Sequence, residues 1–151
     1  MSHKLALVTI PTLNERENLH WFMKGIVDQA DENLHVLLAD DDSLDGTWRT
    51  YGTQYAADSK RFHLMRRPGH DKGRGFALRE AWKWALTHQP PYAYIIEMAG
   101  NRTDDPAHLP ARTGSPVIAA VCFGAPTLDA ALAAELLGRA EKAGRGRTLA
   151  L

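Results

Sequence analysis

The sequence predicts an α/β fold with a mostly parallel sheet flanked by helices. Three observations predict it. Short apolar runs alternate with amphipathic stretches along the chain, the rhythm of strand and helix in a parallel sheet. The first two runs, Leu5–Ile10 and Leu34–Ala39, are nearly continuous in apolar residues, as strands covered on both faces should be. The 151 residues are enough to bury roughly 70% of the unfolded surface, so a core forms without staples.

The elements follow in order. Leu5–Ile10 is a strand that ends at Pro11. Asn14 is placed to cap a helix, with Glu17 three positions on, near a capping box. Leu19, Phe22, Met23, Ile26, Val27 and Ala30 then recur at helical spacing. Leu34–Ala39 is the second strand and runs into Asp40, Asp41 and Asp42. Gly46 to Ala57 reads as a helix with Trp48, Tyr51 and Tyr55 on one side. Phe62–Met65 is a short third strand, followed by a charged, glycine-rich loop. Phe76–Thr87 is a helix with Ala77, Ala81, Trp84 and Ala85 on its stripe, and Tyr92–Met98 is a fourth strand. Asp105 and Pro106 suit the cap and first position of a short helical turn. Pro116–Phe123 reads as a fifth strand, and Leu128, Leu132, Leu136 and Ala140 line a last helix that Gly144 would stop.

Composition narrows the function. Eighteen basic and eighteen acidic residues cancel, which argues against generic nucleic-acid binding. The single cysteine, Cys122, excludes an intrachain disulfide framework and a multi-cysteine zinc site; in an apolar run it reads as a small buried hydrophobe. The seven histidines show no paired metal-ligand spacing. No apolar run reaches the ~20 residues of a membrane span. The compartment is expected to be reducing.

Ligands of an open parallel sheet bind outside the carboxyl ends of its strands. Four segments occupy that edge: Pro11–Asn18, Asp40–Thr47, Arg67–Gly75 and Met98–Asp105. All are polar or rich in glycine. The three adjacent aspartates repel one another by roughly 1 kcal/mol per close pair even in water, so a ligand-binding role competes with simple helix capping by Asp42, Ser43 and Asp45. Lys72-Gly73-Arg74-Gly75 enters a helix N-terminus, where backbone amides and cations suit phosphate. The first strand–helix turn lacks the glycines of a dinucleotide fingerprint, and no GK[ST] phosphate loop is present.

Pro11-Thr12-Leu13-Asn14-Glu15-Arg16-Glu17-Asn18-Leu19 resembles the P-T-Y-N-E-x-E-N-L opening of family 2 glycosyltransferases. Asp40-Asp41-Asp42-Ser43-Leu44-Asp45-Gly46-Thr47 resembles their D-D-x-S-x-D-G-T, and Arg67-Pro68-Gly69 through Leu78 their R-P-x-x-x-G-x-G-x-A. Tyr94–Met98, with Asp105-Pro106 and Leu109-Pro110, resembles the strand and loop that carry their metal motif. The segments occur in the family's order from Leu5 to about Leu109, in the style of dolichol- and polyprenyl-phosphate mannosyl- or glucosyltransferases.

The resemblance implies the Rossmann-like, nucleotide-binding half of a GT-A fold over residues 1–110, with 111–151 a short divergent C-terminal segment of the same domain. It places Pro11, Asn14 and Glu15 near the nucleoside, Asp41 on the base with Asp40 beside it, and Lys72 and Arg74 near the phosphates. The family's D-x-D, which holds a divalent ion such as Mg or Mn, is replaced by Ala99-Gly100-Asn101. Asn101, Asp104 and Asp105 are the candidate metal ligands, against a reading of Asp105 as a helix cap. No catalytic residue is assigned. The implied activity is transfer of a sugar from a nucleotide-diphosphate sugar to an acceptor such as a polyprenyl phosphate. The alternative is a catalytically impaired nucleotide-binding module that acts through a partner. The expected location is the cytoplasm, with peripheral contact at the cytoplasmic membrane face if the acceptor is a lipid.

Overall fold

The computed structural model describes residues 5–102 apart from 30, 58, 70, 89, 91 and 93, together with residue 106. The expected fifth strand, last helix and Cys122, like Asp104 and Asp105, lie outside the described residues.

The elements are β1 (Ala6–Thr12), α1 (Arg16–Val27), β2 (Leu34–Asp40), α2 (Thr47–Tyr51), β3 (Phe62–Arg66), α3 (Arg74–Thr87) and β4 (Tyr94–Glu97). The strands form one sheet in the order β3-β2-β1-β4, and every pairing is parallel. This is the Rossmann-like sheet expected from the alternating pattern. The chain steps outward from β1 to β2 to β3 and then returns to β1's other side, which makes the gap between β1 and β4 the topological switch point.

Strand alternation sorts the core into two layers. Val8, Ile10, Val36 and Leu38 face α1 and α2, meeting Leu19, Phe22, Met23, Ile26 and Tyr51. Leu7, Leu37 and Ala39 face α3, meeting Ala77, Leu78, Ala81, Trp82 and Ala85. Each large apolar side chain so buried contributes about 1.5–3 kcal/mol. Thr9 is the buried polar exception: its hydroxyl donates to the Ile96 carbonyl at 3.2 Å and accepts from Trp82 Nε1 at 3.4 Å.

Several local expectations change. β1 does not stop at Pro11 but runs through it to Thr12. β4 pairs only as far as Thr9, so on that side the proline lacks a partner for its missing N–H. The helix after Gly46 is one α-helical stretch, Thr47–Tyr51, that passes into a π-helical turn, Gly52–Ala56. Trp48 leaves the Tyr51 face and lies beneath the Arg66 guanidinium, 3.9 Å from its ring centre. Trp82 rather than Trp84 is the fully buried tryptophan of α3. None of the described helices is long and apolar enough to cross a membrane.

Candidate active site

The carboxyl ends of β1, β2 and β4 converge, with the N-terminus of α3, on a cavity of about 200 Å³. Its lining includes Pro11, Glu15, Asp41, Gly73, Arg74 and Asn101. Residues from all four polar segments therefore meet at the switch point, although they are far apart in sequence.

The three aspartates escape mutual repulsion because each has its own partners. Asp40 is fully buried and accepts from the Thr12 hydroxyl at 2.7 Å, the Ser43 amide at 2.8 Å and the Ser43 hydroxyl at 2.7 Å. Asp41 forms a buried ion pair with Arg67, each side chain 4% exposed, and its other oxygen accepts from the Gly73 amide at 2.5 Å. Asp42 pairs with Arg66, whose Nε donates at 2.7 Å. A carboxylate offers about four lone-pair sites, so Asp41 keeps acceptor capacity toward the cavity.

Asn14 departs from its expected role. It adopts a left-handed backbone, φ 57°, and does not cap α1. Its side-chain oxygen accepts instead from the amides of Leu44 and Asp45, at 3.0 and 3.3 Å. The acidic loop returns the favour: Ser43 Oγ, Thr47 Oγ1 and Asp45 Oδ2 accept from the amides of Asn14, Glu15 and Arg16 at 2.8, 3.0 and 2.9 Å. The start of α1 is thus capped from another segment. Asp45 also takes the Thr47 amide at 2.9 Å. Partial burial alone would raise its pKa, but the bonds from Thr47 and Arg16 outweigh it and hold the carboxyl below its ordinary value. Gly46 rather than an acidic residue is the N-cap of α2, and no side chain caps it; Asp45 accepts only from Thr47 within the turn, and Asp42 serves Arg66.

The loop before α3 is fastened at both ends. Arg67 Nη2 donates to the Asp71 carbonyl at 2.9 Å, and Gly73 is tied to Asp41. Gly73 has φ 131°, a conformation that side chains oppose. Arg74 lines the cavity and forms an ion pair with Glu97, whose side chain is 1% exposed. On the far wall, a Cβ at Gly100 would lie 3.2 Å from Thr12 Cγ2 and 3.4 Å from Ile10 Cγ2, so the absence of a side chain lets β4's end sit against β1.

The cavity thus brings together Pro11, Glu15, Asp41, Arg74 and Asn101 of the expected site residues. Asp40 is buried outside the lining, Asn14 in the β1–α1 turn holds the acidic loop, and Lys72 is exposed outside the lining. Sequence reasoning missed Arg67 and Glu97 as functional partners. The signal for Arg67 was present: a run of three aspartates at one strand end calls for cations on the neighbouring strand end, and Arg66-Arg67 occupies it. For Glu97, nothing in the sequence separated it from an ordinary strand terminus.

Residues 7–99 match the model of glycosyl transferase family 2. The chain belongs to this family. Polyprenol monophosphomannose synthase of Mycolicibacterium smegmatis is 37% identical over 104 residues, covering 69% of this chain and 38% of that protein; the chain therefore spans well under two thirds of the relative's length. Among solved structures, a mannosyltransferase from Pyrobaculum calidifontis in complex with GDP-Man and Mn2+ aligns with TM-score 0.48 and 24% identity, over 56% of this chain and 25% of that one. Glucosyl-3-phosphoglycerate synthase from Mycobacterium tuberculosis, in complex with Mn2+, UDP and glucosyl-3-phosphoglycerate, aligns with TM-score 0.48 and 17% identity, over 64% and 33%. Family membership agrees with the GT-A fold expected from the motifs.

The donor set of the cavity does not suit a divalent ion. Hard cations prefer several carboxylate oxygens. Among the described residues of the cavity, Asp41 is bound by Arg67 and Gly73, and Glu97 beside it is held by Arg74. Glu15, also in the lining, accepts from Asn18 at 2.7 Å, and Asn101 offers an amide rather than a carboxylate. Both carboxylates of the described lining thus already carry donors, and the expected ligands at 104 and 105 lie outside the described residues, so no catalytic step is derived through an ion.

Proposed function

We propose that the cavity binds a nucleotide-diphosphate sugar and that the chain transfers the sugar to an acceptor such as a polyprenyl phosphate. The observation that carries this reading is the meeting of Asp41, the α3 N-terminus and Arg74 at one switch-point cavity. The 37% identical polyprenol monophosphomannose synthase supports the choice of acceptor. The alternative of a catalytically impaired module finds no support in the comparisons.

The chemistry follows from the lining. A volume of about 200 Å³ is below the roughly 300–1,000 Å³ of pockets that enclose whole ligands. The cavity therefore takes one moiety, the nucleoside. Asp41, oriented by Arg67 and Gly73, accepts from an N–H on the base edge. The diphosphate lies toward Arg74 and the first amides of α3, where the helix dipole favours negative charge. Lys72 and Arg102 add exposed cations near that edge. In the reaction, an acceptor oxygen attacks the anomeric carbon in line, and the bond from that carbon to the diphosphate breaks. Negative charge grows on the leaving diphosphate, so cations and amides preorganised there supply the stabilisation. A phosphate acceptor is already ionised and needs no general base. A divalent ion, Mg or Mn, would take Asn101 and the residues at 104 and 105 as its ligands. A lipid acceptor would bring the chain to the cytoplasmic membrane face.

The test is calorimetric titration of the chain with GDP-mannose and UDP-glucose, with and without manganese, followed by a transfer assay to polyprenyl phosphate. Expected are binding of at least one donor, about tenfold weaker binding in Arg74→Ala, and transfer of the sugar. A folded chain that binds neither donor would overturn the nucleotide site; binding without transfer would overturn the enzymatic reading alone.

A further inference from the structure

We propose that His35, His63 and His88 form a binding site for a divalent transition-metal ion such as zinc, at the edge of the sheet opposite the nucleotide cavity. This site is independent of the reading of the cavity.

The fold places these residues together for simple reasons. His35 and His63 are each the second residue of a strand, β2 and β3. In register, His35 lies opposite Leu7 and His63 opposite Leu37. Leu7 and Leu37 both face α3, so both imidazoles emerge on that face, at the amino ends of adjacent strands. His88 is the residue immediately after α3, and the helix delivers it to the same edge. One ligand nitrogen from each ring lies within 4.8 Å of the other two, and all three residues are half-buried. His35 Nδ1 and His63 Nε2 are 3.5 Å apart. Two nitrogens on one tetrahedral zinc, with bonds of about 2.0–2.1 Å, lie about 3.3 Å apart. Rotation of the rings about their side-chain bonds closes the remaining distance.

The surroundings prepare the rings as ligands. His88 Nδ1 lies 2.9 Å from the Pro90 carbonyl. That bond places its proton on Nδ1 and leaves the lone pair on Nε2, the orienting contact that metal-binding histidines commonly use. Tyr92 stacks on His88 with centroids 4.5 Å apart, and its hydroxyl reaches His35 Nδ1 at 2.9 Å and His63 Nε2 at 3.5 Å. Burial, then His63, His88 and Arg61, lower the His35 pKa to about 4; burial and His88 lower that of His63. With three protein ligands, water would complete a tetrahedral site. Imidazole donors suit zinc, copper and nickel rather than magnesium or calcium. The charge of Arg61, which acts on His35, opposes the ion. The bound ion would clamp β2, β3 and the end of α3, and it lies away from the reacting groups.

Zinc chloride titrated into the full chain, stripped of metal by a chelator, tests the site by calorimetry. Cobalt(II) spectroscopy reports the geometry through visible d–d bands. Expected are one equivalent of zinc, tetrahedral cobalt bands, and a Tm rise on the order of 10 °C at a hundredfold excess over Kd. His63→Ala and His88→Ala should each weaken zinc binding at least ~100-fold, whereas His20→Ala, on α1, should leave it unchanged. Circular dichroism of the metal-free variants confirms folding, and His88→Ala, beyond the helix end, decides alone if His63→Ala does not fold. No stoichiometric binding by the folded chain overturns the proposal, as does binding that survives His88→Ala unchanged.

Discussion

Arg67→Met removes one charge from the buried pair beneath the cavity and keeps much of the side chain's volume. Both members of the pair are 4% exposed, so Asp41 would be left ionised with little access to water. Breaking a buried pair in this way costs about 3–5 kcal/mol, whereas an exposed pair costs ~0–1 kcal/mol. The Arg67 bond to the Asp71 carbonyl, 2.9 Å, is also lost and adds about 1 kcal/mol. Asp41 keeps the Gly73 amide, which limits the damage. The expected destabilisation is therefore about 4 kcal/mol, a large part of the roughly 5–15 kcal/mol that holds a domain together. Urea unfolding followed by circular dichroism, with linear extrapolation, measures it. A double-mutant cycle with Asp41→Asn isolates the pair, because the second substitution removes the stranded charge. The double variant should recover about 1–3 kcal/mol relative to the additive expectation. A cost below ~1 kcal/mol for Arg67→Met, or a cycle with no coupling, would refute the account of Arg67 as the counter-charge that makes the aspartate cluster tenable.

Two further outcomes follow from the same geometry. Gly73→Ala places a Cβ on a backbone at φ 131°, which costs about 1–3 kcal/mol; urea unfolding should show this loss, and donor binding should weaken because Gly73 holds Asp41 and begins the α3 N-terminus. The Asp45 carboxyl has a folded pKa below its ordinary 3.8, so its stabilisation is present above that value and is lost as pH falls through the lower, folded one. Thermal unfolding across that range should show wild type and Asp45→Asn converging in Tm toward acid, while a constant gap would mean that Asp45 stabilises by some means other than its charge.

Much of this protein was legible from residue pattern because the relevant physics is local. Apolar runs of strand length and amphipathic stretches of helical period appear directly in the chain, and each described element lies within a few residues of where they predict it. The exceptions have physical causes. Pro11 continues β1 because the neighbouring strand is already over. Asn14 is drawn away from the helix it precedes because Leu44 and Asp45 present unpaired amides to it. The segment after Thr47 shifts to a π-helical turn, and the sequence carries no marker for that shift.

What the sequence determined by itself is the order of strands and helices, the polar edge at the carboxyl ends and the family motifs along it. These depend on neighbours in the chain. Tertiary structure alone decided which charges meet. Arg67 finds Asp41, Arg66 finds Asp42 and Arg74 finds Glu97 only once β3, α3 and β4 are laid beside β2 and β1. The three histidines, without metal-ligand spacing in the sequence, come together at the opposite edge for the same reason: strand register and helix length set their separation, and no sequence interval encodes that distance.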